Sequence, residues 1–116
     1  MSTPHGVGGI SVIRVSGPKS LKIVKGLSDF LPEDVESHRA YYGTLRALDN
    51  TEDLDEVIVT YFKKGHSFTG EETLEISCHG SPQICQKILK HLILAGASAA
   101  ERGEFTYRAF MNGRVD

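Results

Sequence analysis

Arg14 stands inside residues 8–16 (GGISVIRVS), a stretch otherwise made of apolar and small residues on both alternating faces. A guanidinium there is costly to bury unless an anion or several acceptors satisfy it. Glu75 is comparably placed within residues 73–78 (TLEISC), midway along an alternating run and on its polar side. Two readings fit the pair. If the two strands are neighbours, the residues form an internal salt bridge. Alternatively they line a pocket, with a carboxylate and a guanidinium on rigid strands, suited to a flat polar heterocycle bearing acidic groups.

The remaining candidates are weaker. His79, before Gly80, can serve as a ligand or base, but a His at a turn more often satisfies a backbone group. Glu104 and Arg108, four apart, suit a helix pair. Asn112, Gly113 and Arg114 read as a helix stop, with a basic residue near the negative end of the dipole. Cys78 and Cys85 make no disulfide framework, and the absence of C-x-x-C argues against a zinc pair. There is no G-x-x-x-x-G-K-S/T run, so this chain has no P-loop for GTP hydrolysis. Gly6-Val7-Gly8-Gly9 precedes a strand, whereas a dinucleotide fingerprint follows one. Neither a G-x-S-x-G elbow nor an H-E-x-x-H pair occurs.

The elements that must carry these residues follow from periodicity and punctuation. Residues 8–16 read as a central strand. Gly17-Pro18 opens a helix with Pro at its first position, and Leu21, Val24 and Leu27 or Ile23 form its apolar face. Residues 31–34 are a loop. Strands over 40–48 and 55–62 flank the polar turn 49–53 and should pair as a hairpin. In the strand over 73–78, Leu74, Ile76 and Cys78 share one face, while Thr73, Glu75 and Ser77 share the other. Ser81 is an N-cap and Pro82 an N1 residue; Ile84, Ile88, Leu92 and Ala95 then repeat at helical spacing, and Gly96 closes the helix. A last helix is expected near 103–110, with Thr106 as N-cap and Phe105 and Phe110 as a hydrophobic staple. Helices this sparse belong on one face of a mixed sheet, giving an α+β two-layer domain.

The totals agree. The 116 residues suit a single domain with a real core, 40% apolar and 24% charged. A formal charge of −2 disfavours nucleic-acid binding by the domain as a whole, although a local patch remains compatible with it. No apolar run is long enough to span a bilayer, and the N-terminus lacks the pattern of a secretory signal. A cytoplasmic chain with free thiols is the expectation.

Four stretches resemble the N-terminal domain of the MnmE (TrmE) family of tRNA modification GTPases. They are TPHGVGGISVIRVSGP (3–18), LDEVIVTYF (54–62), SFTGEETLEISCHGSP (67–82) and GEFTYRAFMNGRVD (103–116). They occur in order and span nearly the whole chain. The resemblance implies a fold similar to the folate-binding domain of the glycine-cleavage aminomethyltransferase. It also implies a single folate-binding and dimerisation domain over 1–116, the N-terminal fragment of a larger GTPase. The implied cofactor is a reduced folate, 5-formyl- or methylene-tetrahydrofolate, and the implied contacts are Arg14, Glu75 and Arg114. A carboxylate suits a pterin by accepting two parallel N–H bonds. Arg114 is often Lys in the family, which keeps the charge but not the fork.

The implied partners are a second copy of the chain, MnmG in the full-length complex, and tRNA, whose wobble uridine is modified at C5. GTP, Mg and K belong to a G domain that this chain lacks, so the fragment alone is expected not to be catalytic. A folate-independent dimerisation or RNA- and partner-docking scaffold is the alternative. Two departures from the family pattern stand out. Only Met1 and Ser2 precede the Thr-Pro step, where the family has a short strand, and Ser81 replaces a usual second Gly.

Overall fold

A computed structural model describes residues 9–64, 71–99 and 114–115, with backbone alone for Ala99, Arg114 and Val115. The elements are β1 (Ile10–Ser16), α1 (Ser20–Lys25), β2 (Ala40–Arg46), β3 (Asp53–Phe62), β4 (Thr73–His79), α2 (Pro82–Leu94), β5 (Ser98–Ala99) and β6 (Arg114–Val115). They build one six-stranded sheet in the order β2-β3-β4-β1-β6-β5. The four long strands pair antiparallel, and β5 pairs β6 in parallel. The architecture is therefore α+β with a mixed sheet, as the element order predicts.

Alternation decides which face is covered. Ile13 and Val15 of β1, Val57 and Val59 of β3, and Leu74, Ile76 and Cys78 of β4 point into one core. Ile23, Val24 and Leu27 from the α1 segment and Ile88 and Leu92 from α2 close it from the other side. Burying each such side chain contributes about 1.5–3 kcal/mol before chain entropy is counted. The expected inward set of β4 and the apolar stripe of α2 are thus both present.

The opposite face carries Ile10 and Val12, which are 76% and 46% exposed. The expectation of a central strand holds in the sheet order. The strand is central by pairing, between β4 and β6, yet covered on one side only among the described residues.

Local chemistry sets the boundaries. Ser81 caps α2, its hydroxyl accepting from Ile84 N–H, with Pro82 at N1. The helix ends in a Schellman arrangement. Gly96, at φ +121°, donates its N–H to Ile93 O at 3.0 Å, and Ala97 N–H reaches Leu92 O at 3.0 Å. The first helix departs from expectation. Pro18 lies in a turn closed by Ser20 N–H to Gly17 O at 3.1 Å, so its fixed φ serves the turn and α1 starts at Ser20. At Gly43 on β2 a Cβ would come 2.2 Å from Phe30 Cγ, so the Phe30 ring occupies the space a side chain would need.

The β2–β3 hairpin forms as expected, with Asn50 in the left-handed region at φ 63°. Arg114 and Val115 form strand β6, which pairs with both β1 and β5; the expected helix stop at Asn112 and Gly113 lies outside the described residues. The expected helix near 103–110, including Glu104 and Arg108, lies outside the described residues, as does most of the loop before β4 and of the glycine run ahead of β1.

Candidate functional site

β1 and β4 are adjacent and in register, with Arg14 opposite Glu75. Arg14 Nε donates to Glu75 Oε2 at 2.9 Å, and each side chain is 33% exposed. The salt bridge that sequence reading allowed therefore exists, but on the open face of the sheet rather than inside the core. It costs little desolvation there and leaves the carboxylate accessible to a molecule resting on the sheet. Thr60 of β3 is the next neighbour of Glu75 across the sheet. Arg114 lies on β6, opposite Ser16, which is two residues along β1 from Arg14. Its backbone joins the same sheet; its side chain lies outside the described residues.

Farther along this face, Ile10, Tyr42, Glu56, Ile58, Ser77 and His79 border a cleft of ≈ 280 Å³. At its border Tyr42 donates its hydroxyl proton to Glu56 Oε1 at 3.0 Å. That bond and the charge of Glu56 raise the Tyr42 phenol above its usual value.

His79 closes β4 and has a partner that sequence reading missed. Asp55 Oδ2 accepts from the backbone N–H of His79 at 2.8 Å, and Asp55 Oδ1 lies 2.8 Å from His79 Nδ1. Asp55 has only 9% of its side chain exposed, while His79 has 66%. The carboxylate fixes both the strand end and the imidazole orientation, and the outer edge of the ring faces solvent. Satisfying a backbone group at this corner thus falls to Asp55. The signal available beforehand was an acid at the start of an otherwise apolar strand.

Two buried hydroxyl and thiol groups flank the core. Tyr61 donates to Glu72 Oε2, and burial first, then that hydrogen bond, push its phenol up to about 12. Cys78 and Cys85 are free thiols with sulfurs 4.0 Å apart. Burial, then the neighbouring Cys85, push the Cys78 thiol up to about 12. Among the described residues no three His, Cys, Asp or Glu converge as a metal-ligand set, and no helix is long and apolar enough to cross a membrane.

These features define an α+β domain whose sheet keeps one face open, with a fixed carboxylate near its middle. The chain belongs to the family of the GTP-binding protein TrmE N-terminus, whose model matches residues 1–114. It is 62% identical over its whole length to a tRNA modification GTPase MnmE of Bdellovibrio bacteriovorus, covering 24% of that protein. It is 49% identical to the MnmE of Parabacteroides distasonis and 47% identical to that of Desulfotalea psychrophila. Each alignment takes in all of this chain, against 26% and 25% of the relatives. The chain therefore spans about a quarter of the length of the relatives it matches.

Proposed function

We infer that this domain binds a reduced folate on the open face of its sheet and self-associates there, as the N-terminal part of a cytoplasmic tRNA modification GTPase. The observation that carries the reading is Glu75. Its carboxylate is fixed through Oε2 by Arg14, is partly exposed, and has no hydrogen-bond partner on Oε1 among the described residues. A carboxylate held this way offers lone pairs to the amino group and adjacent N–H of a pterin. Arg14 and Arg114 supply positive charge on neighbouring strands for the carbonyl or carboxylate groups of 5-formyl- or methylene-tetrahydrofolate. The fold would then be similar to the folate-binding domain of the glycine-cleavage aminomethyltransferase.

The exposed apolar side chains of Ile10, Val12, Tyr42 and Ile58 on the same side support self-association. They would equally support the second reading, a folate-independent scaffold that docks RNA or a partner. In the proposed parent protein, GTP hydrolysis with Mg and K belongs to a separate G domain, MnmG is the partner, and the product is a tRNA altered at C5 of the wobble uridine. This domain contributes ligand binding and assembly, not the chemical step.

Calorimetric titration with 5-formyl-tetrahydrofolate, alongside Glu75→Ala, tests the reading. Saturable binding that the substitution weakens tenfold or more, about 1.4 kcal/mol, is the expected result. Absence of binding by a folded, dimeric wild-type chain overturns the folate reading and leaves the scaffold.

A further inference from the structure

We propose that Cys78 and Cys85 form a peroxide-oxidisable dithiol, a site of reversible disulfide modification that staples the first turn of α2 to the end of β4. The proposal is independent of folate binding. Cys78 is the last core-facing residue of β4 and 3% exposed. Cys85 sits one turn into α2, partly buried against the same core. Their sulfurs are 4.0 Å apart. Among the described residues each has besides only a weak backbone acceptor: Ser11 O at 3.6 Å for Cys78 and His79 O at 3.9 Å for Cys85.

A disulfide needs the sulfurs to close to about 2.05 Å, a movement on the order of 2 Å. The connection between the cysteines is short and fixed. Seven positions separate them, and the intervening chain holds the Ser81 cap and Pro82 at the start of α2. The two sulfurs are therefore held as near neighbours in the folded domain.

The chemistry balances with a hydroperoxide as oxidant. Cys85 is the more accessible sulfur and attacks first. Its S–O bond forms as the peroxide O–O bond breaks, and the departing hydroxide leaves as water with the thiol proton. The Cys78 sulfur then attacks Cys85 Sγ; the S–S bond forms, the S–O bond breaks, and a second water carries away the Cys78 proton. Two thiols lose two electrons, and one peroxide becomes two waters. The raised pKa of Cys78 keeps it protonated and makes it the second sulfur to react. The staple lies at the edge of the cleft that His79 borders, and it removes the Cys85 S–H bond to His79 O.

Peroxide treatment of the full chain followed by peptide mass analysis is the test. Residues 65–87 contain both cysteines and no internal Lys or Arg, so trypsin releases them as one peptide. The expected product is that peptide, lighter by two hydrogens and refractory to iodoacetamide until dithiothreitol is added. Cys85→Ser should abolish it, and the oxidised wild type should unfold at a higher temperature than the reduced form. Cys85 driven to a sulfinic acid while Cys78 still alkylates would overturn the proposal. Disulfides formed between chains would do the same.

Discussion

Arg14 and Glu75 face each other across β1 and β4, 61 positions apart in sequence and 2.9 Å apart at their nearest side-chain atoms. The pair is an ion pair, and in the proposed function it would also face the ligand; the two roles predict different losses. A salt bridge with both partners one-third exposed contributes about 0.2–1 kcal/mol. Glu75→Ala should therefore lower stability by no more than about 1 kcal/mol in urea unfolding while weakening folate at least tenfold. A stability loss several times larger, with folate affinity unchanged, would reduce the pair to a structural role.

Asp55 should matter more to stability than the residue it holds. Its nearly buried carboxylate is the acceptor for the His79 backbone N–H and faces its ring. Asp55→Ala leaves that N–H without its acceptor and should cost about 1–3 kcal/mol. His79→Ala removes an exposed ring and should cost clearly less. Thermal unfolding of the two variants side by side reads the order.

Gly43 makes room for Phe30. Adding a methyl forces the ring off β2, since the new Cβ would stand 2.2 Å from Phe30 Cγ. Gly43→Ala should destabilise by about 1–3 kcal/mol as overpacking does. In a Phe30→Ala background the same change should be nearly neutral, and a double-mutant cycle measures that coupling.

Alkaline pH should unfold the domain through Tyr61 and Cys78. The fold raises both groups, from 10.0 and 9.0 to about 12, so it favours their neutral forms. A raised folded value means the contribution is complete below the ordinary value and disappears as pH climbs through the folded one. Stability should fall progressively between about pH 9 and 12. Tyr61→Phe, which cannot ionise, should flatten the upper part of that decline. An unfolding midpoint that is level across this range in the wild type would contradict the prediction.

Much of the frame was legible in the sequence. The alternation of Leu74, Ile76 and Cys78 gave the buried side of β4, and Ser81-Pro82 with Gly96 gave the limits of α2, because caps and periodicity are local signals. Arg14 and Glu75 stood out as charges among apolar neighbours, and the structure brings them together. What stayed hidden is non-local. The exposure of Ile10 and Val12 is one such feature, since apolarity alone does not say which side of a sheet is covered. Asp55 meets His79 only through the pairing of β3 with β4, which no short window contains. Pro18 suits a helix start and a turn equally, and the Ser20–Gly17 bond decides for the turn. The pairing of Arg114 with Ser16 crosses almost the entire chain.

The sheet order also fixes a timetable for biosynthesis. β1 leaves the ribosome first, yet both its neighbours come later: β4, whose Glu75 lies 61 positions beyond Arg14, and β6, at Arg114 and Val115. At about 5–20 residues per second, the nascent first strand waits several seconds for its nearer neighbour, its edges unpaired and its apolar side chains wetted. The β2–β3 hairpin, built from neighbours in sequence, can close during that wait. A ribosome pause placed before β4 would lengthen the exposure, which makes the codons between β1 and β4 a place where translation speed bears on the yield of folded protein.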